Sequence, residues 1–396
     1  HIFSQPVHVA EDFVLFDLAD FDGDGDMDLL VGTPAGEYFA VGRIELRWLE
    51  NRIDTGGGWR QWTIGDFYRD LGEPSVQDID GDGDPDVAMH TPYDFGIWFE
   101  NRIEEGLGWQ HREHPVPPFL ADLDGDGDLD GYDGSRWAEN AGADLGWIWY
   151  DLPQGIGAPQ AVDLDGDGDR DLVGFGFNGL LWLENRLATG DEWIVHEISS
   201  LGCGFTRSCL IQPHDLDGDG DLHLIVTVRG STGDLRIFWL ENRLSSESDW
   251  VEHFVADGEA LGSADLDGDG DLDLLVGTRS SGQANELTRQ LSFWMENANG
   301  TGEWLPRSFP AEAQASLLLG TADLDGDEVD ELVLGHAGGI SSLQLRGEEW
   351  QFPAVDPRFS PMWIRIADLD DDGAPEIVAF GESRFPDSRS FRRHRL

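Results

Sequence analysis

Apolar residues along this chain come in short bursts rather than at helical spacing. Runs such as "LLVG" at 29 to 32, "LIVTV" at 224 to 228 and "ELVLG" at 331 to 335 are rich in β-branched residues and bounded by acidic and glycine positions. Each predicts a buried strand. An acidic phrase precedes every such run: "DLDGDGDLD" stands word for word at 122 to 130 and 265 to 273, and six near-copies begin at 20, 78, 163, 215, 323 and 368. The spacing of these eight starts, 41 to 58 residues, is that of propeller blades rather than of nine-residue β-rolls.

Two further phrases recur in step with the acidic one. A second strand ends in Trp-x-Glu-Asn, at Trp48, Trp98, Trp137, Trp182, Trp239 and Trp294, and a third opens with Trp59, Trp109, Trp147, Trp193, Trp250, Trp304 or Trp350. Thirteen of the 16 tryptophans therefore occupy repeat positions, which marks them as packing between neighbouring sheets; Trp62, Trp149 and Trp363 are the exceptions. With the strand that leads into each acidic loop, the unit is a four-stranded antiparallel meander. "FSQPVHV" at 3 to 9 resembles a fourth strand, whereas the last unit runs out before one. The expectation is an all-β chain, residues 1–396 forming a single eight-bladed β-propeller of four-stranded antiparallel blades, its ring closed by the N-terminal strand.

The aspartates supply oxygen at alternate positions, with glycines where the backbone turns, as a hard cation such as Ca²⁺ requires. In the first loop the expected ligands are Asp20, Asp22, Asp24 and Asp28, with Asp26 acting at position seven through its carbonyl. The corresponding sets are Asp78, Asp80, Asp82, Asp84 and Asp86; Asp122, Asp124, Asp126, Asp128 and Asp130; Asp163, Asp165, Asp167, Asp169 and Asp171; Asp215, Asp217, Asp219 and Asp221; Asp265, Asp267, Asp269, Asp271 and Asp273; Asp323, Asp325, Asp327, Val329 and Glu331; and Asp368, Asp370, Asp372, Ala374 and Glu376. Val329 and Ala374 have no ligating side chain, so a backbone carbonyl at position seven fits all eight. A helix-loop-helix calcium site needs Glu at position twelve, which here is Val31, Met89, Asp133, Gly174, Val226, Val276, Leu334 or Ala379. That alternative fails. Up to eight Ca²⁺ ions are expected, and the fifth site, where His223 replaces the last carboxylate, is expected to be the weakest.

Charge narrows the partners. With 25 basic and 79 acidic residues the formal net charge is −54, which repels a phosphate backbone and excludes nucleic acid. Eight divalent ions would reduce it only to −38. Every basic residue is Arg, so lysine chemistry is excluded. No apolar run approaches the roughly 20 residues that span a bilayer. The two cysteines, Cys203 and Cys209 in "LGCGFTRSC", suit a local disulfide in an oxidising compartment. A chain that starts at His1 suggests an export signal already removed.

The acidic loops, together with the "WLEN" and Gly-x-x-Trp phrases, resemble the FG-GAP and VCBS-type repeat family, which includes the integrin α-chain head. The resemblance covers essentially the whole chain. It implies a secreted or cell-surface, calcium-binding propeller, located outside the cell or in the periplasm, but no single activity, since members include adhesion heads and lectins. Rhamnogalacturonan lyases also carry such propellers, with an additional β-sandwich domain that is not expected within residues 1–396.

Function is expected on the face away from the calcium loops, where the connecting segments differ between units. Candidate contacts there are Tyr38, Phe39, Phe67, Tyr68, Arg69, Phe205, Arg207, Asn285 and Arg289. The leading reading is a binding or adhesion module for a glycan or an extracellular protein. The alternatives are a structural subunit of a larger surface assembly and a polysaccharide lyase. The enzyme reading is the weakest: His111, His196 and His253 sit at a repeated strand position, and His90, His214 and His336 have no recurring carboxylate partner.

Overall fold

The computed structural model describes residues 14–34, 43–52, 58–68, 74–89, 96–112, 116–142, 146–187, 192–202, 209–216, 218–230, 233–244, 250–279, 289–298, 300, 302–313, 316–327, 329–336, 339–347, 349–356, 359–369, 375–383 and 389–394. Their regular structure is all β. In the first repeat the strands Val14–Ala19, Asp28–Pro34, Arg43–Glu50 and Arg60–Tyr68 pair in sequence order, antiparallel throughout. The second to fifth repeats form four-stranded sheets of the same order. The sixth and seventh are joined into one nine-stranded sheet through the pair Gln290 and Leu317, and the eighth contributes three strands, Phe359–Ala367, Glu376–Ser383 and Arg389–His394. The expected N-terminal strand at 3 to 9 lies outside the described residues.

The acidic phrase joins the first and second strands of each repeat. The second strand is the most deeply buried: Leu30 and Val31, Val87 to Met89, Leu172 and Val173, and Leu224 to Val226 are all without solvent exposure. It is packed on both faces, which is why it reads as an apolar run rather than as an alternation.

Apolar clusters lie between successive sheets. Leu30, Trp48 and Phe67 of the first repeat meet Val87, Met89 and Phe99 of the second, and Val162, Val173 and Trp182 of the fourth meet Ile211, Leu224 and Val226 of the fifth. One such cluster joins the first repeat to the last, through Leu29, Val31, Leu49, Leu369 and Val378. The tryptophans supply the edge-to-face contacts: Phe21 packs on Trp109 of the next repeat at 5.5 Å, and Trp239 on Trp304 at 6.5 Å between ring centroids. No helix among the described residues is long and apolar enough to cross a membrane.

Candidate metal centres

Each acidic loop is shaped by its own carboxylates. The position-one aspartate turns the loop by accepting backbone N–H groups: Asp163 takes Gly166 on one oxygen and Gly168 on the other, at 2.8 and 3.0 Å, and Asp265 does the same with Gly268 and Gly270. The position-five aspartate accepts the N–H two residues on, as Asp167 does from Asp169. Glycines at positions four and six hold positive φ, for example +75° at Gly166 and +99° at Gly168, where a side chain would be strained.

The position-nine residue has a role that spacing alone did not show. Asp28, Asp86, Asp130, Asp171 and Asp273 are almost wholly buried. One oxygen of each accepts the N–H of its own position-two residue, and the other accepts the N–H of the asparagine that ends Trp-x-Glu-Asn. For Asp171 these bonds are Leu164 N–H at 3.1 Å and Asn185 N–H at 2.7 Å; Asp28 and Asp86 repeat the pattern. Burial raises these carboxyls to about 7 at Asp28, Asp130 and Asp171 and about 8 at Asp86 and Asp273, outweighing the two backbone donors that favour the ionised form.

The asparagines then link repeat to repeat. Asn101 donates from Nδ2 to the Phe21 carbonyl, Asn140 to Ile79, Asn185 to Leu123, Asn242 to Leu164 and Asn297 to Leu216, at 2.5 to 2.8 Å. Each acceptor is the position-two carbonyl of the preceding repeat. Asn51 makes the equivalent bond to Leu369 in the last repeat, at 2.8 Å across 318 residues. The motif was visible in sequence, but its partner was not, because a carbonyl belongs to every residue.

The preceding glutamate is held beside the loop from the outer strand. Glu184 meets His196 at 2.6 Å and Glu241 meets His253 at 2.8 Å, with those rings stacked on Trp182 and Trp239. Glu50 accepts from the Trp62 indole at 2.7 Å, and Glu139 from the Tyr150 hydroxyl at 2.9 Å. These contacts give His196 and His253 structural roles. They also set a negative charge near the position-three aspartate: burial first, then Asp24 and Glu50, raises Asp22 to about 6, and burial with Asp269 and Glu296 raises Asp267 to about 6.

The donors converge. One oxygen from each of Asp20, Asp22 and Asp28 lies within 4.8 Å of the other two, and so do those of Asp78, Asp80 and Asp86; Asp122, Asp124 and Asp130; Asp163, Asp165 and Asp171; and Asp265, Asp267 and Asp269. Buried oxygens of Asp22, Asp78, Asp80 and Asp128 have no hydrogen-bond partner. Oxygen-only donors, crowded together and with some buried oxygens left without a hydrogen-bond donor, fit a hard cation. In the fifth loop His223 is fully buried and its Nδ1 accepts the Asn242 N–H at 2.9 Å, so Nε2 carries the proton of the neutral ring. His223 therefore keeps the backbone anchor of the aspartate but presents no carboxylate.

Asp217, Asp370, Asp372 and Ala374 lie outside the described residues, as do Tyr38, Phe39, Arg69, Phe205, Arg207, Asn285 and Cys203. Tyr68 and Arg289 close and open strands, Arg60–Tyr68 and Arg289–Asn297. Phe67 is a correction: it is 3% exposed within the core between the first two repeats, so it packs rather than faces a ligand. Gly65 to Tyr68 continue the strand Arg60–Tyr68. Cys209 is buried and disulfide-bonded.

Residues 20–89, 215–276 and 265–334 match the FG-GAP-like repeat. No curated protein matches the chain in sequence. Among solved structures it is similar to the exotype rhamnogalacturonan lyase YesX, at 16% identity and a TM-score of 0.58 over 100% of this chain and 76% of that one. It also matches an Agrocybe aegerita lectin that recognises non-reducing terminal N-acetylglucosamine, at 18% identity and a TM-score of 0.47 over 79% of this chain and 86% of that one. A third match is the V. cholerae biofilm matrix protein Bap1, at 13% identity and a TM-score of 0.47 over 97% of this chain and 87% of that one. The likeness to the lyase is one of a propeller-like fold.

Proposed function

Because three stretches of the chain match the FG-GAP-like repeat, we propose that it is a calcium-clamped propeller of eight blades serving as a binding or adhesion module outside the cell, with a glycan or an extracellular protein as its ligand. Support for a closed ring comes from the Asn51 bond to Leu369 and the shared cluster of the first and last repeats, which copy the contacts between successive repeats. On this reading residues 1–396 act as one domain. The calcium reading rests on the convergent carboxylates with buried, unpartnered oxygens. Bound calcium would supply the charge that those carboxylates lack, so that metal binding adds to folding stability.

The observation that carries the binding role is the division of labour along each repeat. Carboxylates, tryptophans and asparagines recur in fixed roles, whereas the segments at 33 to 42, 201 to 209 and 278 to 290 differ in length and composition. A rigid scaffold with varied connections is suited to recognition. A glycan-array screen in millimolar calcium and in chelator tests this: calcium-dependent binding to a defined sugar supports a carbohydrate ligand. A blank array, with calcium still raising the melting temperature, would reject the glycan and leave the protein ligand. An unchanged melt in chelator would reject the calcium clamp.

A further inference from the structure

The seventh repeat departs from the first six where the third strand ends. Register places Leu343 opposite Leu332 as Leu183 stands opposite Leu172, so Gln344 and Leu345 take the places of the glutamate and asparagine. Its loop also carries Glu328 at position six, where the first six loops have glycines at φ between +92° and +102°.

These replacements build a different interior. Gln344, 6% exposed, donates from Nε2 to Asp325 Oδ2 and to Asp327 Oδ2, each at 3.2 Å. Its Oε1 accepts from Arg346 Nε at 2.8 Å. The Arg346 guanidinium pairs directly with Asp325 and lies 3.7 Å from Asp327. Reversing the amide would set its oxygen against two carboxylates and a nitrogen against the guanidinium, so the network fixes its orientation. In the fourth and fifth repeats the corresponding arginines, Arg186 and Arg243, are drawn to Glu184 and Glu241 instead. With no glutamate here, Arg346 turns to the loop.

Uncharged backbone N–H donors on the position-one and position-nine carboxylates of the other loops leave those loops negative, whereas a fixed positive charge at positions three and five competes directly with a divalent cation. At the seventh loop the position-three and position-five carboxylates accept N–H groups from an amide and a fixed positive charge. Glu331 at position nine keeps one buried oxygen without a partner, but at positions three and five the residues do not fit the metal. We propose that Arg346, bridged by Gln344, closes the seventh loop in place of a divalent cation, so that this repeat carries its own positive charge. The link to the sixth repeat survives the loss of the asparagine by another route: Asp330 N–H donates to the Asp265 carbonyl at 2.9 Å, and its carboxylate accepts the Asp265 N–H at 3.2 Å. The inference rests on the calcium reading of the other loops, and it lowers the expected number of ions to at most seven.

Equilibrium dialysis of the whole protein against calcium tests it, with Asp327→Asn in the seventh loop and Asp167→Asn at the same position of the fourth. Asp167→Asn is expected to lose one equivalent and Asp327→Asn none, while the double change Gln344→Glu with Arg346→Ala gains one. Loss of one equivalent in Asp327→Asn overturns the proposal. If neither variant alters the count, it is the calcium reading of the fourth loop that fails, and melting in chelator decides the rest. There Arg346→Ala is expected to lower the melting temperature, and an unchanged melt overturns the guanidinium clamp.

Discussion

Replacing Asn185 with Ala cuts one link between repeats without touching a metal-binding carboxylate. The side chain is fully buried; its Nδ2 donates to Leu123 O at 2.5 Å and Arg170 O at 2.8 Å, and its Oδ1 accepts from Leu187 N–H at 2.9 Å. The backbone N–H bond to Asp171 would remain. A buried polar group left unpaired costs about 1 to 3 kcal/mol, and losing an ordinary hydrogen bond whose partner can reach water costs about 0.5 to 1.5 kcal/mol net. Leu123 O falls in the first class and the other two in the second, so the expected loss is roughly 2 to 6 kcal/mol. Urea unfolding in saturating calcium, compared with the parent, measures it. Asn185→Asp should be worse than Ala, since it sets a carboxylate oxygen against two carbonyls. A loss below about 0.5 kcal/mol for Ala, or better stability for Asp than for Ala, would refute the assigned donors.

Three other outcomes are expected. In chelator, stability should fall as pH rises from about 4 to 8: burial raises Asp28, Asp86, Asp130, Asp171 and Asp273 to about 7 or 8 in the fold, so they stay protonated there after the unfolded chain has ionised. Calcium favours the ionised form, so its stabilising effect should grow over the same window; a metal-free melting temperature that rises from pH 5 to 8 would contradict this. Gly65→Val should destabilise strongly, because a Cβ there would lie 2.3 Å from the Phe99 ring; a thermal melt within a degree of the parent would show that the two repeats part easily. His223→Asp should restore a carboxylate to the fifth loop and enlarge the calcium-induced rise in melting temperature, and no change would show that position nine does not contribute to metal affinity.

The repeat, its strands and its acidic loops were legible because they are written in side-chain types at fixed spacing. What was hidden lay between repeats. Asn185 and Leu123 are 62 residues apart, and the acceptor is a backbone carbonyl with no signature in sequence. Gly65 was hidden for a related reason: it is a strand position kept bare for Phe99, a residue of the next repeat. The position-nine aspartate looked like a ligand and nothing more, yet both its oxygens also hold backbone N–H groups. Gln344 and Arg346 lie outside the acidic phrase, and only register aligned them with Glu184 and Arg186.

The asparagine links of the second to sixth repeats all point one way, each gripping the repeat before it. During synthesis a newly emerged repeat can therefore fasten its predecessor as soon as its own third strand is made. Asn51 is the exception, because the carbonyl it grips, that of Leu369, is made more than 300 residues later. The first repeat thus waits for the eighth, and that bond cannot form until Leu369 has left the ribosome.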